Sequence, residues 1–298
     1  MSCSRNQGTG PINVTQTSNT CDADCKYVFD YKSSQLLVEN KGDYMKLSYD
    51  NPRAQMIKFR SVDYSVQEIR IYSQSLNKYN GAFFPCEIII HHISANGDNL
   101  LVCIPVEVSN KESSLKTLFS KIITHFPRNR NDPKSINEPS YNLNHIVPRG
   151  GYYTYKGTVP YQPCTGEYDI ILFDPAIAPN ITSTDFNKLR PLIRNISSST
   201  NVKEVGAENI DLYYNKNGTT DPELVGENNI YIDCRPVNEE GRYLEEIDQE
   251  RKGSGMNMFK LDFDPNINPT QGIVIGSAVG FSILLIVGFY FARRKLFS

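Results

Sequence analysis

Cys86-Glu87-Ile88-Ile89-Ile90-His91-His92 is the stretch on which the fold turns. Its run of β-branched residues, bounded by Asn, Gly and Pro clusters, predicts a strand over 86–91. Neighbouring strand residues point to opposite faces, so His91 and His92 diverge and cannot readily chelate one ion together. On either side, strand-like runs recur at 35–39, 44–49, 68–72, 99–108, 168–173 and 230–233. Cys86 and Cys103 border such runs and read as buried thiols. Two helices interrupt the pattern. Leu115, Leu118, Phe119, Ile122, Ile123 and Phe126 repeat at helical spacing behind a Ser113/Ser114 cap, and Phe186, Leu189 and Ile193 do so behind Thr182/Ser183. The pattern predicts a mainly β fold with short peripheral helices.

The 298 residues carry 31 Lys plus Arg against 33 Asp plus Glu, and the net charge of -2 excludes polyanion binding by the chain as a whole, nucleic acid included. With 39% hydrophobic and 21% charged residues, there is apolar material for one large globular domain. Four His, at 91, 92, 125 and 145, limit any metal chemistry that relies on imidazole. His125 closes the amphipathic helix and His145 precedes Pro148 in a loop, where capping and surface roles are the ordinary reading. No G-x-S-x-G, G-x-x-x-x-G-K-[ST] or G-x-G-x-x-G motif is present. Glu68 and Glu87 offer carboxylates for acid/base work, against which stands a structural role for both.

The two ends differ from the middle. Residues 272–292 hold no formal charge and, at 1.5 Å per residue, span about 31 Å before Arg293, Arg294 and Lys295, which predicts a transmembrane helix. Gly272, Gly276 and Gly280 fall on one face of it and would admit a close second helix. No apolar signal stretch is found near residue 1, so the domain is expected to stay where it is made, although the basic flank prefers the cytoplasmic side. The sequons at Asn13, Asn180, Asn195 and Asn217 are then expected to be largely unmodified. Seven Cys form no paired C-x-x-C metal pattern, Cys21 and Cys25 stand as a lone C-x3-C, and Cys234 reads as an interchain bridge. The organisation expected is a domain over 1–237, a polar acidic stem over 238–271, the span over 272–292 and a basic tail over 293–298.

Several segments, taken in order, resemble the α-carbonic anhydrase family. Pro11-Ile12-Asn13-Val14 is similar to its S-P-[IV]-[ND]-[IV] segment, and Glu39-Asn40-Lys41-Gly42-Asp43 to its N-N-G-H turn. Cys86 to His92 matches A-E-L-H-L-V-H, and Tyr152-Tyr153-Thr154-Tyr155-Lys156-Gly157-Thr158-Val159-Pro160-Tyr161-Gln162-Pro163 matches D-Y-W-T-Y-x-G-S-L-T-T-P-P. Phe186 to Arg190 resembles L-x-K-F-R, and Arg235-Pro236 resembles the end of N-x-R-P. The resemblance covers about 11–240 and implies a large, twisted, mostly antiparallel sheet. It also implies where a catalytic zinc would sit. The three imidazole positions fall on Arg70, Tyr72 and Ile89, the hydroxyl that orients zinc-bound hydroxide on Pro160, and the proton shuttle on Asp43. An arginine carries a fixed charge and an isoleucine has no lone pair, so the expectation is a chain that is not an enzyme and holds no metal or other cofactor.

A domain of this kind on a C-terminal anchor resembles the poxvirus cell-surface-binding envelope proteins. That resemblance implies a virion membrane protein that attaches to host glycosaminoglycan through clustered cations. Lys111, Lys116, Lys121, Arg128, Arg130 and Lys134 stand against Glu112 and Asp132, a local excess of four, whereas 1–292 as a whole is at -5. Lys188, Arg190, Arg194 and Lys203 stand against Asp185, an excess of three. These ten residues are the candidate glycan site. A solvated face is the competing reading, because Lys116 and Lys121 lie about 140° apart on a helix. The alternative function is structural: a protein tethering an inner membrane to a capsid or scaffold layer. Virion structural proteins would then be the partners, with homo-oligomers forming through the span glycines or Cys234.

Overall fold

The computed structural model of the chain describes residues 3, 8–17, 19–21, 23–49, 56–111, 113–139, 141–196, 201–205 and 210–219. In chain order the strands are β1 (Ile12–Val14), β2 (Tyr27–Asp30), β3 (Leu36–Asn40), β4 (Met45–Leu47), β5 (Met56–Phe59), β6 (Val62–Ser73), β7 (Lys78–Tyr79) and β8 (Ala82–Phe83). They continue with β9 (Cys86–Ser94), β10 (Asn99–Val108), β11 (Pro133–Ile136), β12 (Tyr152–Gly157), β13 (Tyr168–Phe173), β14 (Asn180–Ile181), β15 (Lys203–Glu204) and β16 (Tyr213–Asn215). Two helices, α1 (Ser114–His125) and α2 (Ser183–Leu189), lie among them. The main sheet runs β11-β3-β4-β6-β9-β10-β13-β12-β16, with β5 and then β2 branching from β6, and β14 from β10. A smaller sheet joins β15, β1, β7 and β8.

The centre of the main sheet is buried on both faces. Along β9, Ile88 and Ile90 enter one apolar cluster while Ile89 enters the other. Along β10, Leu100, Val102 and Ile104 face the first cluster, and Leu101 and Cys103 the second. This is the period-2 alternation of a strand with no solvated side, and it accounts for sequences that are apolar throughout. Helix α1 covers the first cluster with Leu115, Phe119 and Ile122, each worth on the order of 2 kcal/mol of burial. Its N-cap is Ser113, whose side chain accepts from the Leu115 amide, as expected. Thr182 caps α2 in the same way, accepting from the Asp185 amide.

Several expectations change. The main sheet is mostly antiparallel, as expected, with β10 and β13 pairing in parallel, and in the smaller sheet β1 pairs in parallel with both β7 and β15. The chain between β10 and β13 is long enough for a crossover, and α1, β11 and β12 all fall within it. Helix α2 ends at Leu189 with Arg190 as its cap, because Pro191 has no amide to donate, so Ile193 is buried beyond the helix. Cysteines whose pairing the sequence left open are bonded, Cys3 to Cys164 and Cys21 to Cys25. Spacing alone does not reveal a bond that joins residues 161 apart. Cys86 and Cys103 are free and buried, as expected. No helix among the described residues is long and apolar enough to cross a membrane. The expected strand at 230–233, Cys234, the stem, the span with Gly272, Gly276 and Gly280, and the basic tail all lie outside the described residues.

Candidate functional site

Arg70 and Ile89 are direct partners across β6 and β9, and Tyr72 follows two residues along, opposite Glu87. Cross-strand partners and i, i+2 residues share a face, so these three side chains emerge together. The register of β6 slips between Val66 and Glu68, and this bulge sets the face on which Arg70 and Tyr72 point. The Arg70 guanidinium donates through Nε and Nη2 to Glu68 Oε2 at 2.8 and 2.7 Å. It lies 4.5 Å from the Tyr44 ring centroid and 3.9 Å from that of Tyr161. The Tyr72 ring stacks on Tyr161 at 6.2 Å with an interplanar angle of 27°. Tyr72 and Ile89 belong to the second apolar cluster beside Leu101, Cys103 and Tyr155. Burial pushes the Tyr72 and Tyr161 phenols up, so both stay protonated at neutral pH.

The two carboxylates named in the sequence have separate surroundings. Glu68 is occupied by Arg70, by the Tyr44 hydroxyl at 3.4 Å and by Lys46 at 3.8 Å. Glu87 is fully buried and accepts from the Leu76 amide at 2.7 Å, the Asn77 amide at 3.3 Å and Asn77 Nδ2 at 2.9 Å. Burial raises its carboxyl to about 7 against the pull of these donors. His91 and His92 do diverge. His91 Nε2 meets Asn99 Oδ1 at 3.0 Å, whereas His92 is buried with Nε2 on the Tyr31 hydroxyl at 2.8 Å and Nδ1 without a partner. His125 Nδ1 meets the Lys121 carbonyl, a capping contact at the exposed end of α1.

The candidate cations fall into three groups. Lys203 is buried at 5% exposure on β15 and leaves the surface set, because its strand pairs with β1 inside the fold. Lys116 Nζ donates to the Asn110 carbonyl, and Lys121 pairs with Glu138, so both ammonium groups have internal partners. Arg128, Arg130 and Arg194 meet the turn between β3 and β4, and α1 packs against α2. The Arg130 guanidinium lies against Gly42, where a Cβ would come within 3.2 Å of its Cζ. The Arg194 amide donates to the Gly42 carbonyl at 2.8 Å, and its guanidinium pairs with Asp43 at 2.5 Å. The Arg128 carbonyl accepts from Asn40 Nδ2. Lys41, which pairs with Glu39, reaches the same turn through Asn131 Oδ1 at 3.3 Å, a cation that sequence reasoning missed because it lies far from both basic stretches. Arg128, Lys134, Lys188 and Arg190 are exposed and make no ion pair among the described residues.

The model for eukaryotic-type carbonic anhydrases matches residues 1–209. The chain belongs to the eukaryotic-type carbonic anhydrase family. Alpha carbonic anhydrase 4 of Arabidopsis thaliana is 22% identical over 169 residues, and the match spans 55% of this chain and 59% of the length of that relative. Among solved structures, the Photobacterium profundum α-carbonic anhydrase superposes with a TM-score of 0.61 at 15% identity, covering 71% of this chain and 91% of that one. Dioscorin complexed with ascorbate gives 0.58 at 17% identity, covering 72% and 89%.

Membership corrects the expectation that this chain stands outside the enzymes. Its family is one of carbonic anhydrases, its plant relative bears that name, and three substituted positions do not remove a chain from an enzyme family. By the family resemblance, the zinc of a carbonic anhydrase would face Arg70, Tyr72 and Ile89. They do not fit it: a guanidinium without a lone pair, a phenol held protonated by burial and an alkyl side chain supply no neutral imidazole. Pro160 has no hydroxyl, and the Asp43 carboxylate is engaged by Arg194. No metal-dependent step follows from these side chains.

Proposed function

We propose that this carbonic anhydrase family member is a membrane-anchored virion surface protein whose domain attaches to an acidic host glycan. The observation that carries the reading is the basic surface at the β3–β4 turn, where Arg130 and Arg194 lie against Gly42 and Asp43, together with Arg128, Lys134, Lys188 and Arg190, exposed and without ion pairs among the described residues, in a chain of net charge -2. Such a cluster attracts a sulfated, carboxylated polymer within about a Debye length, ~8 Å at physiological salt. The apolar run at 272–292 supplies the anchor. The Cys3–Cys164 and Cys21–Cys25 bonds suit a domain displayed in oxidising surroundings.

Full-length protein in detergent, passed over chondroitin sulfate and heparan sulfate columns, is expected to be retained at low salt and released at moderate salt. Passage without retention at low salt overturns the reading. On intact particles, protease is expected to reach the domain from outside. A protected domain that co-purifies with capsid proteins after detergent would favour the tethering alternative.

A further inference from the structure

Beside the cation cluster, a pocket of about 280 Å³ opens between the β7–β8 hairpin and α2, with Phe83, Phe84, Phe186, Arg190, Gln74 and Asn195 in its wall. It is smaller than the ~300–1,000 Å³ clefts that enclose whole small molecules, a size suited to one ring of a longer chain. Its wall contains no Asp or Glu. One cation stands in the wall, Arg190, which makes no ion pair among the described residues. Asn195 Nδ2 donates to Gln74 Oε1 at 2.6 Å, tying the exit of α2 to the end of β6 and fixing the wall before any ligand arrives.

We infer that this pocket receives a single uronic acid ring of the glycan, its C–H face against the phenylalanine rings and its carboxylate on Arg190. The inference rests on the glycan-binding reading and names the part of the polymer that reading leaves open. A guanidinium presents two parallel N–H donors that match a carboxylate, and Arg190 at the cap of α2 is exposed and carries no competing anion. Aromatic rings supply a flat apolar surface for the ring's C–H groups, and the neighbouring arginines meet the sulfates outside. The pocket is assembled from β6, the hairpin and α2, so only a chain lying along the cation cluster with one ring turned inward uses both features.

The test is calorimetric titration of full-length detergent-solubilised protein with a chondroitin sulfate hexasaccharide and with the same hexasaccharide after carboxyl reduction, which keeps the sulfates. Arg190→Ala and Phe83→Leu, the latter retaining apolar volume without a ring, are each expected to weaken the native hexasaccharide about tenfold. Carboxyl reduction is expected to weaken wild-type binding to a similar degree and to change Arg190→Ala little. Wild-type protein that binds both hexasaccharides equally, or variants that bind like wild type, would overturn the pocket assignment while leaving attachment through the cluster standing. Absence of wild-type binding at low salt would overturn attachment and the pocket together.

Discussion

Glu87 and His92 are buried titratable groups whose effects on stability run in opposite directions. Glu87 sits near 7 in the fold against 4.5 for the free side chain, so the native state holds its proton more tightly than the unfolded chain. Its contribution is complete below about 4.5 and is lost as pH rises through 7, by on the order of 3 kcal/mol. His92 is lowered from 6.5 to about 3 by burial, so its contribution is present above about 6.5 and is lost as pH falls towards 3. Between about 4.5 and 6.5 the two slopes oppose each other, and urea unfolding at fixed pH is expected to show a plateau there. His92→Phe is expected to turn the plateau into a decline with rising pH, and Glu87→Leu into an increase; an unchanged profile in both would refute the assignment. Arg70 gives a separate test. Arg70→Met leaves the Glu68 carboxylate at 14% exposure with Lys46 at 3.8 Å, and is expected to cost about 2–3 kcal/mol in chemical denaturation, part of which Glu68→Gln should restore.

At the scale of elements, the helices and central strands were legible because each carries its own period. Ser113 announces α1 directly, and Ser113→Ala is expected to lower stability by about 1 kcal/mol, against about 3–5 kcal/mol for Phe119→Ala beneath it. Strands β10 and β13 coincide with the expected 99–108 and 168–173, since continuous apolar runs bounded by turns leave little choice. Strands β1, β2 and β5 were not read as strands, being three or four residues long and too short for alternation to register. The basic stretches were visible as composition, yet their division was not: whether Lys121 faces Glu138 or solvent depends on the chain beyond the helix. The Phe83 and Arg190 pocket was invisible for a stronger reason, because its walls come from three separate parts of the chain.

Over the whole molecule, the Cys3–Cys164 bond joins the first residues to the loop after β12, closing a loop with a sequence separation of 161. In the chain-entropy account such a bond contributes up to about 5 kcal/mol, and that of Cys21–Cys25 about 2 kcal/mol. Dithiothreitol is therefore expected to lower the thermal midpoint, and Cys3→Ser to reproduce most of the change, whereas Cys21→Ser should not. Packing also separates the sequons. Asn13 and Asn180 are buried at 7% exposure each, and Asn13 is engaged by Glu204 and the Gly81 amide, whereas Asn195 and Asn217 are exposed. The unit formed by Tyr44, Glu68, Arg70, Tyr72 and Tyr161 draws on the β3–β4 turn, on β6 and on the segment after β12. Arg70 thus ties three separate parts of the chain to one charge, so a disturbance of the β3–β4 turn is felt at once in the middle of β6 and in the segment after β12.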